Sequence, residues 1–499
     1  MTTARIVIGV DSSTQSTKAL AVDAGTGAVL GLGRAEHTVS TGFGRESDPE
    51  QWWRALLRAV AATGYAERAE AVSVAGQQHG LVTLDRAGRP VRPALLWNDV
   101  RSAPQAEALV AELGARRWAE RAGSVPTAAF TAAKWAWLAA HEPAAAARTA
   151  AVRLPHDYLT ERLTGVAVTD RGDASGTGWW TPEGYDTALL DRIGLDVAML
   201  PEVLSPGARA GVVRGSDGPL RAGIPVATGT GDNMAAAIGL GLSASAGSGA
   251  AGTASAGSGS AGSAVPVLSL GTSGTVYAAT AGRPQDVTGT VCGFADALGG
   301  WLPLACTLNC TLAVDRFATL LGRDREAVEP GGDAVVLPYL DGERTPNLPG
   351  ASGLVHGLRH DTTAGQLLQA AYDGAAHALL TALGEVLRAG GAADDPQQPL
   401  LLIGGGARGR AWQETVRRLS GRPLRIPAAQ ELVALGAAAQ AAALLTGEPA
   451  DAVARRWGTA DGPLLEPVPR DDVALAKITD TLHRAATLQA PAGTPAGPA

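Results

Sequence analysis

The chain has 499 residues, 46% of them hydrophobic and 18% charged, with a formal net charge of −7 at pH 7. That length exceeds what one core supports, so two large domains are expected. The acidic balance with no basic stripe excludes nucleic acid as a partner, and the lack of an unbroken apolar run of bilayer length excludes a membrane span.

Three short strands are predicted first, over residues 5–11, 18–23 and 28–33. Asp48 then caps a helix whose first residue is Pro49 and whose apolar face includes Leu56, Leu57 and Val60. Strands follow at 69–75, 82–84 and 93–97, and helices at 102–122 and 132–141. This alternation runs on to Gly241, defining an N-terminal domain over 1–242. Residues 243–264 contain only Ser, Ala, Gly and Thr. Such a stretch has nothing to bury and reads as a flexible insertion. A second α/β domain is expected over 265–484, with strands at 267–270, 275–279, 335–339 and 399–403 and helices at 361–389 and 431–445. Residues 485–499 form a Pro/Ala/Gly tail expected to be disordered. Each half opens with a strand, a small hydroxylated turn and another strand, the pattern of a diverged duplication. Cys292, Cys306 and Cys310 are too few and too odd for a disulfide framework, which points to a reducing, cytoplasmic setting. Cys306 and Cys310 are four apart and are expected on one helix face, as apolar thiols.

Five segments carry chemistry. Gly229-Thr-Gly-Asp232 delivers a carboxylate to the first turn of an Ala-rich helix, and its glycines leave room for a small hydroxylated substrate. Taken alone, a capping Asp after Gly is more often structural. Asp11-Ser-Ser-Thr-Gln-Ser-Thr-Lys18 and Ser269-Leu-Gly-Thr-Ser-Gly274 are strands running into phosphate-sized turns. In the first, Ser13, Thr14 and Lys18 are candidate ATP contacts, and Asp11 suits Mg²⁺ held through water. Lys occurs only at 18, 134 and 477, so its retention at this turn is notable. In the second, Gly271, Thr272 and Ser273 offer donors without bulk, although a plain hairpin has the same form. Gly404, Gly405, Gly406 and Ala407 follow an apolar strand and read as a nucleotide-base site. Gln77-Gln-His79 supplies the donors and acceptors a polyol needs. One carboxylate base with two phosphate turns indicates a phosphotransferase.

Several further segments fall in the same order as in one known family. They are Glu46-Ser-Asp-Pro-Glu-Gln-Trp-Trp53, Gly76-Gln-Gln-His-Gly80, Leu96-Trp-Asn-Asp99, Leu154-Pro-His-Asp-Tyr-Leu159, Asp173-Ala-Ser-Gly-Thr177, Leu337-Pro-Tyr-Leu-Asp-Gly-Glu-Arg-Thr-Pro346 and Ile403-Gly-Gly-Gly-Ala-Arg408. With the phosphate turns and Asp232 they make the chain resemble the FGGY carbohydrate kinases, most closely the branch acting on D-xylulose. The resemblance implies a two-domain α/β sugar kinase/actin-like (ribonuclease H-like) fold with a cleft that closes on the sugar. It implies Asp232 as the base, Asp11 beside the metal, and Gln78, His79, Asp232 and Asn233 around the sugar. It further implies ATP and Mg²⁺, D-xylulose or a similar ketopentose as acceptor, and D-xylulose 5-phosphate as product in pentose catabolism. A homodimer stays open. The rival readings are the same chemistry on gluconate, ribulose or glycerol, and a non-catalytic nucleotide-dependent clamp. The chain departs from the family pattern at Ser13-Thr-Gln-Ser16 in the first turn, at His156 where Lys is usual, at Gln78 where Met is frequent, and in the length of 243–264.

Overall fold

The computed structural model describes residues 4–40, 42, 44–215, 218–244 and 264–486. Most of the expected insertion and tail lies outside the described residues.

Two seven-stranded sheets organise the molecule. In the N-terminal sheet Ile6–Ser12 pairs antiparallel with Ser16–Asp23, which pairs antiparallel with Val29–Glu36. On its other side Ile6–Ser12 runs parallel to Ala69–Gly76. The C-terminal sheet repeats this plan. Pro266–Leu270 pairs antiparallel with Gly274–Ala278, which pairs antiparallel with Trp301–Thr307, while Leu400–Ile403 runs parallel to Pro266–Leu270. The duplication read from the two opening turns is thus a duplication of sheet topology.

The elements form for local reasons. Asp48 accepts from the amide of Glu50 and Pro49 occupies the first turn, so Pro49–Ala62 starts where expected; it buries Trp52, Leu56 and Val60 under the first sheet. The long helix Ala364–Ala389 begins three residues later than predicted, because Thr363 and Gln366 form a capping box. The predicted helix 102–122 is two helices, Ala103–Leu113 and Ala115–Ala122, broken at Gly114 with φ of 83°. Strand 335–339 is shortened to Val335–Leu337 and pairs with Leu354–His356 apart from the main sheet. Strand 93–97 is reduced to Ala94–Leu95. Cys306 and Cys310 do not share a helix face: Cys306 lies in the strand Trp301–Thr307, and Cys310 caps the helix Thr311–Leu320. Among the described residues no group of His, Cys, Asp and Glu forms a ready metal cage.

The two halves interlock. Leu432–Thr446, a helix of the C-terminal half, lies on the N-terminal sheet and against the helix Asp232–Gly239. Small residues permit the close approach: a Cβ on Gly436 would lie 1.8 Å from the Ala235 carbonyl oxygen, and one on Gly9 would lie 2.0 Å from that of Ala434. The helix is apolar all round because protein surrounds it, with Ala434, Ala437, Ala438 and Ala441 fully buried. Among the described residues no single helix is long and apolar enough to cross a membrane.

Candidate active site

The parallel strand ends place the chemistry. Asp11 and Ser12 pair with Ala75 and Gly76, and Thr230 and Gly231 pair with the same two residues. The first phosphate turn, the Gln77–His79 segment and the base loop therefore emerge together at one sheet edge. In the other half Ser269 pairs with Ile403, so Gly271–Ser273 and Gly404–Ala407 also emerge side by side. Ligands of parallel α/β sheets bind at such carboxyl ends.

A cavity of about 600 Å³ opens between the halves. Asp11, Lys18, Asp232 and Asn233 line it from one side, and Gly404, Gly405, Ala407 and Arg408 from the other. The predicted base and the predicted nucleotide loop thus share one space. Ser13, Thr14, Gln78, His79, Gly271, Thr272, Ser273 and Gly406 do not line it. Ser13 instead donates to the Asp11 carboxylate at 2.7 Å, and Thr14 accepts from the Trp97 indole at 3.1 Å. The amide and hydroxyl of Thr311 bind the Gly271 carbonyl, tying the second turn to the helix behind it. Gly406 faces inward, against Leu270 and Thr311.

Asp232 begins the helix Asp232–Gly239, and its Oδ1 accepts from the Asn233 amide at 2.8 Å and from Asn233 Nδ2 at 3.0 Å. Burial, with Asp11 and Asp173 nearby, pushes its carboxyl up to about 7. Burial likewise pushes Asp11 up to about 6, against the opposing hydrogen bond from Ser13. A carboxyl poised near neutrality is suited to proton transfer at cellular pH. Asn233 Nδ2 also donates to Gln78 Oε1 at 2.9 Å, linking the base loop to the predicted sugar segment. His79 adopts φ of 63°, hydrogen bonds through Nδ1 to the Gly176 carbonyl at 2.7 Å and packs between Phe130 and Phe294. Burial holds its imidazole down to about 3, so it is neutral. Both polar ends of Gln77 and the amide nitrogen of Gln78 are buried without a protein partner. Unsatisfied groups of this kind mark a place for a polar ligand.

Sequence reasoning missed two residues here. Tyr277 lines the cavity with its hydroxyl buried and unpartnered. Its strand was predicted, but no sequence signal set which face the ring would take. Glu431 forms an ion pair with Lys18 at 2.5 Å across the halves. That contact spans 413 residues and is invisible to local pattern.

The geometry agrees with the relatives of the chain. Residues 6–239 match the N-terminal domain of the FGGY family of carbohydrate kinases, and residues 267–445 match its C-terminal domain. A Streptomyces coelicolor protein named xylulose kinase is 66% identical over 97% of both chains. The crystal structure of xylulose kinase from Bifidobacterium adolescentis superimposes with a TM-score of 0.79 at 33% identity, covering 96% of this chain and 99% of that one. Gluconate kinase from Lactobacillus acidophilus shares the fold at a TM-score of 0.84 and 17% identity, covering 98% and 99%. Fold alone therefore does not separate one sugar from another. With two domain matches spanning most of its length and a relative this similar, the chain belongs to the FGGY family of carbohydrate kinases.

Proposed function

We propose that the chain transfers the γ-phosphoryl group of ATP to the terminal hydroxyl of D-xylulose, giving D-xylulose 5-phosphate and ADP. The observation that carries this reading is the single cavity joining Asp232, with its carboxyl near 7, to the Gly404–Gly405 loop of the opposite half. Asp232 takes the hydroxyl proton as the sugar oxygen attacks phosphorus and the bond to ADP breaks. Asn233 holds the carboxylate in place and links it to Gln78. His79, fixed as a neutral ring, and the unsatisfied amides of Gln77 and Gln78 present donors and acceptors to the sugar hydroxyls. Lys18, released from Glu431, neutralises phosphate charge, and the two Gly-rich loops offer amides to the nucleotide.

The donor set fits Mg²⁺. That ion takes one or two carboxylates and otherwise keeps waters and phosphate oxygens, and Asp11 is a carboxylate facing the cavity rather than part of a cage. When bound there it would offset charge on the phosphates. The name of the Streptomyces relative and its high identity favour xylulose over other acceptors. Purified protein assayed for ADP release on D-xylulose, ribulose, gluconate and glycerol is the test. Turnover is expected to be highest on D-xylulose. Preference for another acceptor would reassign the sugar, and ADP release independent of every acceptor would overturn the kinase reading.

A further inference from the structure

Beneath the sugar side of the site lies a buried ion cluster that the phosphoryl-transfer residues do not include. His156 has no exposed side-chain surface. Its Nδ1 lies 2.7 Å from Asp173 Oδ2, and its Nε2 lies 3.2 Å from Asp157 Oδ1 and 3.8 Å from Asp170 Oδ1. Asp157 and Asp173 are also fully buried, and Asp170 nearly so. One imidazole thus faces three carboxylates in a buried interior, where uncompensated negative charge is costly.

Each member of the cluster holds a different wall of the site. Asp170 accepts from the amides of Gly172 and Asp173, capping Arg171–Ala174, and from Thr230 Oγ1 at 2.8 Å, two residues before Asp232. The turn that Asp173 begins ends at Gly176, whose carbonyl holds the His79 ring. Asp157 Oδ2 accepts from the amide of Leu154, starting the helix Pro155–Thr164 that carries His156. His156 itself packs against two glycines. A Cβ on Gly76, just before Gln77, would lie 3.1 Å from His156 Cβ, and one on Gly229, at φ of 80°, would lie 3.0 Å from its Cδ2.

We propose that His156 is a positioning residue for sugar phosphorylation, a buried imidazolium whose charge holds Asp157, Asp170 and Asp173 together and so fixes the loops presenting Gln77–His79 and Asp232. Burial lowers its pKa, but Asp157, Asp173 and Asp170 outweigh that effect and leave it at about 9. The other charges facing the cluster are Arg153 toward Asp157, Arg171 toward Asp170, and Asp232 toward Asp173. None of them replaces the imidazolium at its centre.

The inference rests on Asp232 serving as the base. It is tested by comparing the full-length wild type with H156Q, which keeps size and polarity but removes the charge, and H156K, which restores a cation. The sugar panel tests the substrate separately, and the variants are compared on whichever sugar the wild type phosphorylates. H156Q is expected to lose about 10–100-fold in kcat/KM for sugar through misplacement of the loops, with ADP affinity by titration calorimetry unchanged. H156K is expected to recover most of the loss. Because the imidazolium loses its proton as pH rises, wild-type kcat/KM for sugar should fall above about pH 9 and that of H156K should not. H156Q with a lowered melting temperature but full kcat/KM would overturn the proposal. So would a wild type and H156K with the same alkaline limb, a comparison that decides the matter even where H156Q fails to fold.

Discussion

Asp232→Asn separates what the carboxylate does for chemistry from what it does to the fold. Asparagine keeps the shape and the helix start but cannot accept the sugar proton, so turnover is expected to drop by about 10²–10⁴. Stability should move the other way. The carboxyl titrates near 7 in the folded chain against 3.8 when free. The folded state therefore favours the protonated form. That stabilisation is fully present below the free value and is lost as pH rises through about 7, above which a charged group is buried. A difference of about three pH units corresponds to about 4 kcal/mol. The side chain is only half-buried and opens onto the cavity, so solvent screening reduces this to ~1–2 kcal/mol. In a chain of this size that is a gain of about 2–4 °C in melting temperature near pH 8, shrinking toward pH 4. Thermal unfolding across that range, beside steady-state ADP release, measures both effects. Turnover above about a tenth of wild type would refute the base assignment. A thermal gain that does not vary with pH would refute the reasoning from burial.

Three other perturbations probe different parts of the structure. Lys18→Met should lower kcat by about tenfold or more if the ammonium meets phosphate, yet barely move the melting temperature, because a half-exposed ion pair with Glu431 contributes about 0–1 kcal/mol. A large thermal loss with normal kcat would make the pair purely structural. His79→Ala should raise KM for sugar far more than for ATP, since its ring is held by Gly176 and two phenylalanines away from the nucleotide loops; equal changes in both constants would count against it. Gly436→Ala forces a methyl into the Ala235 carbonyl and should destabilise by about 1–3 kcal/mol in urea unfolding, whereas an unchanged midpoint would mean that the helix pair has slack.

What the sequence made legible was local. Gly and hydroxyl turns between apolar strands located both hairpins, and the Gly229–Asp232 segment placed a carboxylate at a helix start, because these features are set by backbone conformation within a few residues. The break at Gly114 was passed over because the apolar spacing continues through it; only the backbone turn at that glycine interrupts the helix. Long-range partners were beyond reach for a different reason. Glu431 meets Lys18, and His156 meets Asp173, only after the sheets and helices have packed. Likewise, the departure at His156 was visible as an unusual residue with Asp157 beside it, but Asp170 and Asp173 reach it from one other turn only after packing. Helix Leu432–Thr446 was read correctly as Ala-rich, but nothing in its composition named the opposite sheet as its seat.

That seat has a mechanical consequence. The chain leaves the second sheet after Arg425 to lay Leu432–Thr446 on the first, and returns to the second sheet at Leu464. Before that return, Trp457 and Arg456 clasp the hairpin carbonyls of Ala24 and Gly25. These two covalent crossings tie the halves together as two pins hang a door, so rotation about the line through them is the softer motion and shear or twist the stiffer. Any opening of the cavity would follow that swing, changing the separation of the Gly404 loop from Asp232 more than their alignment.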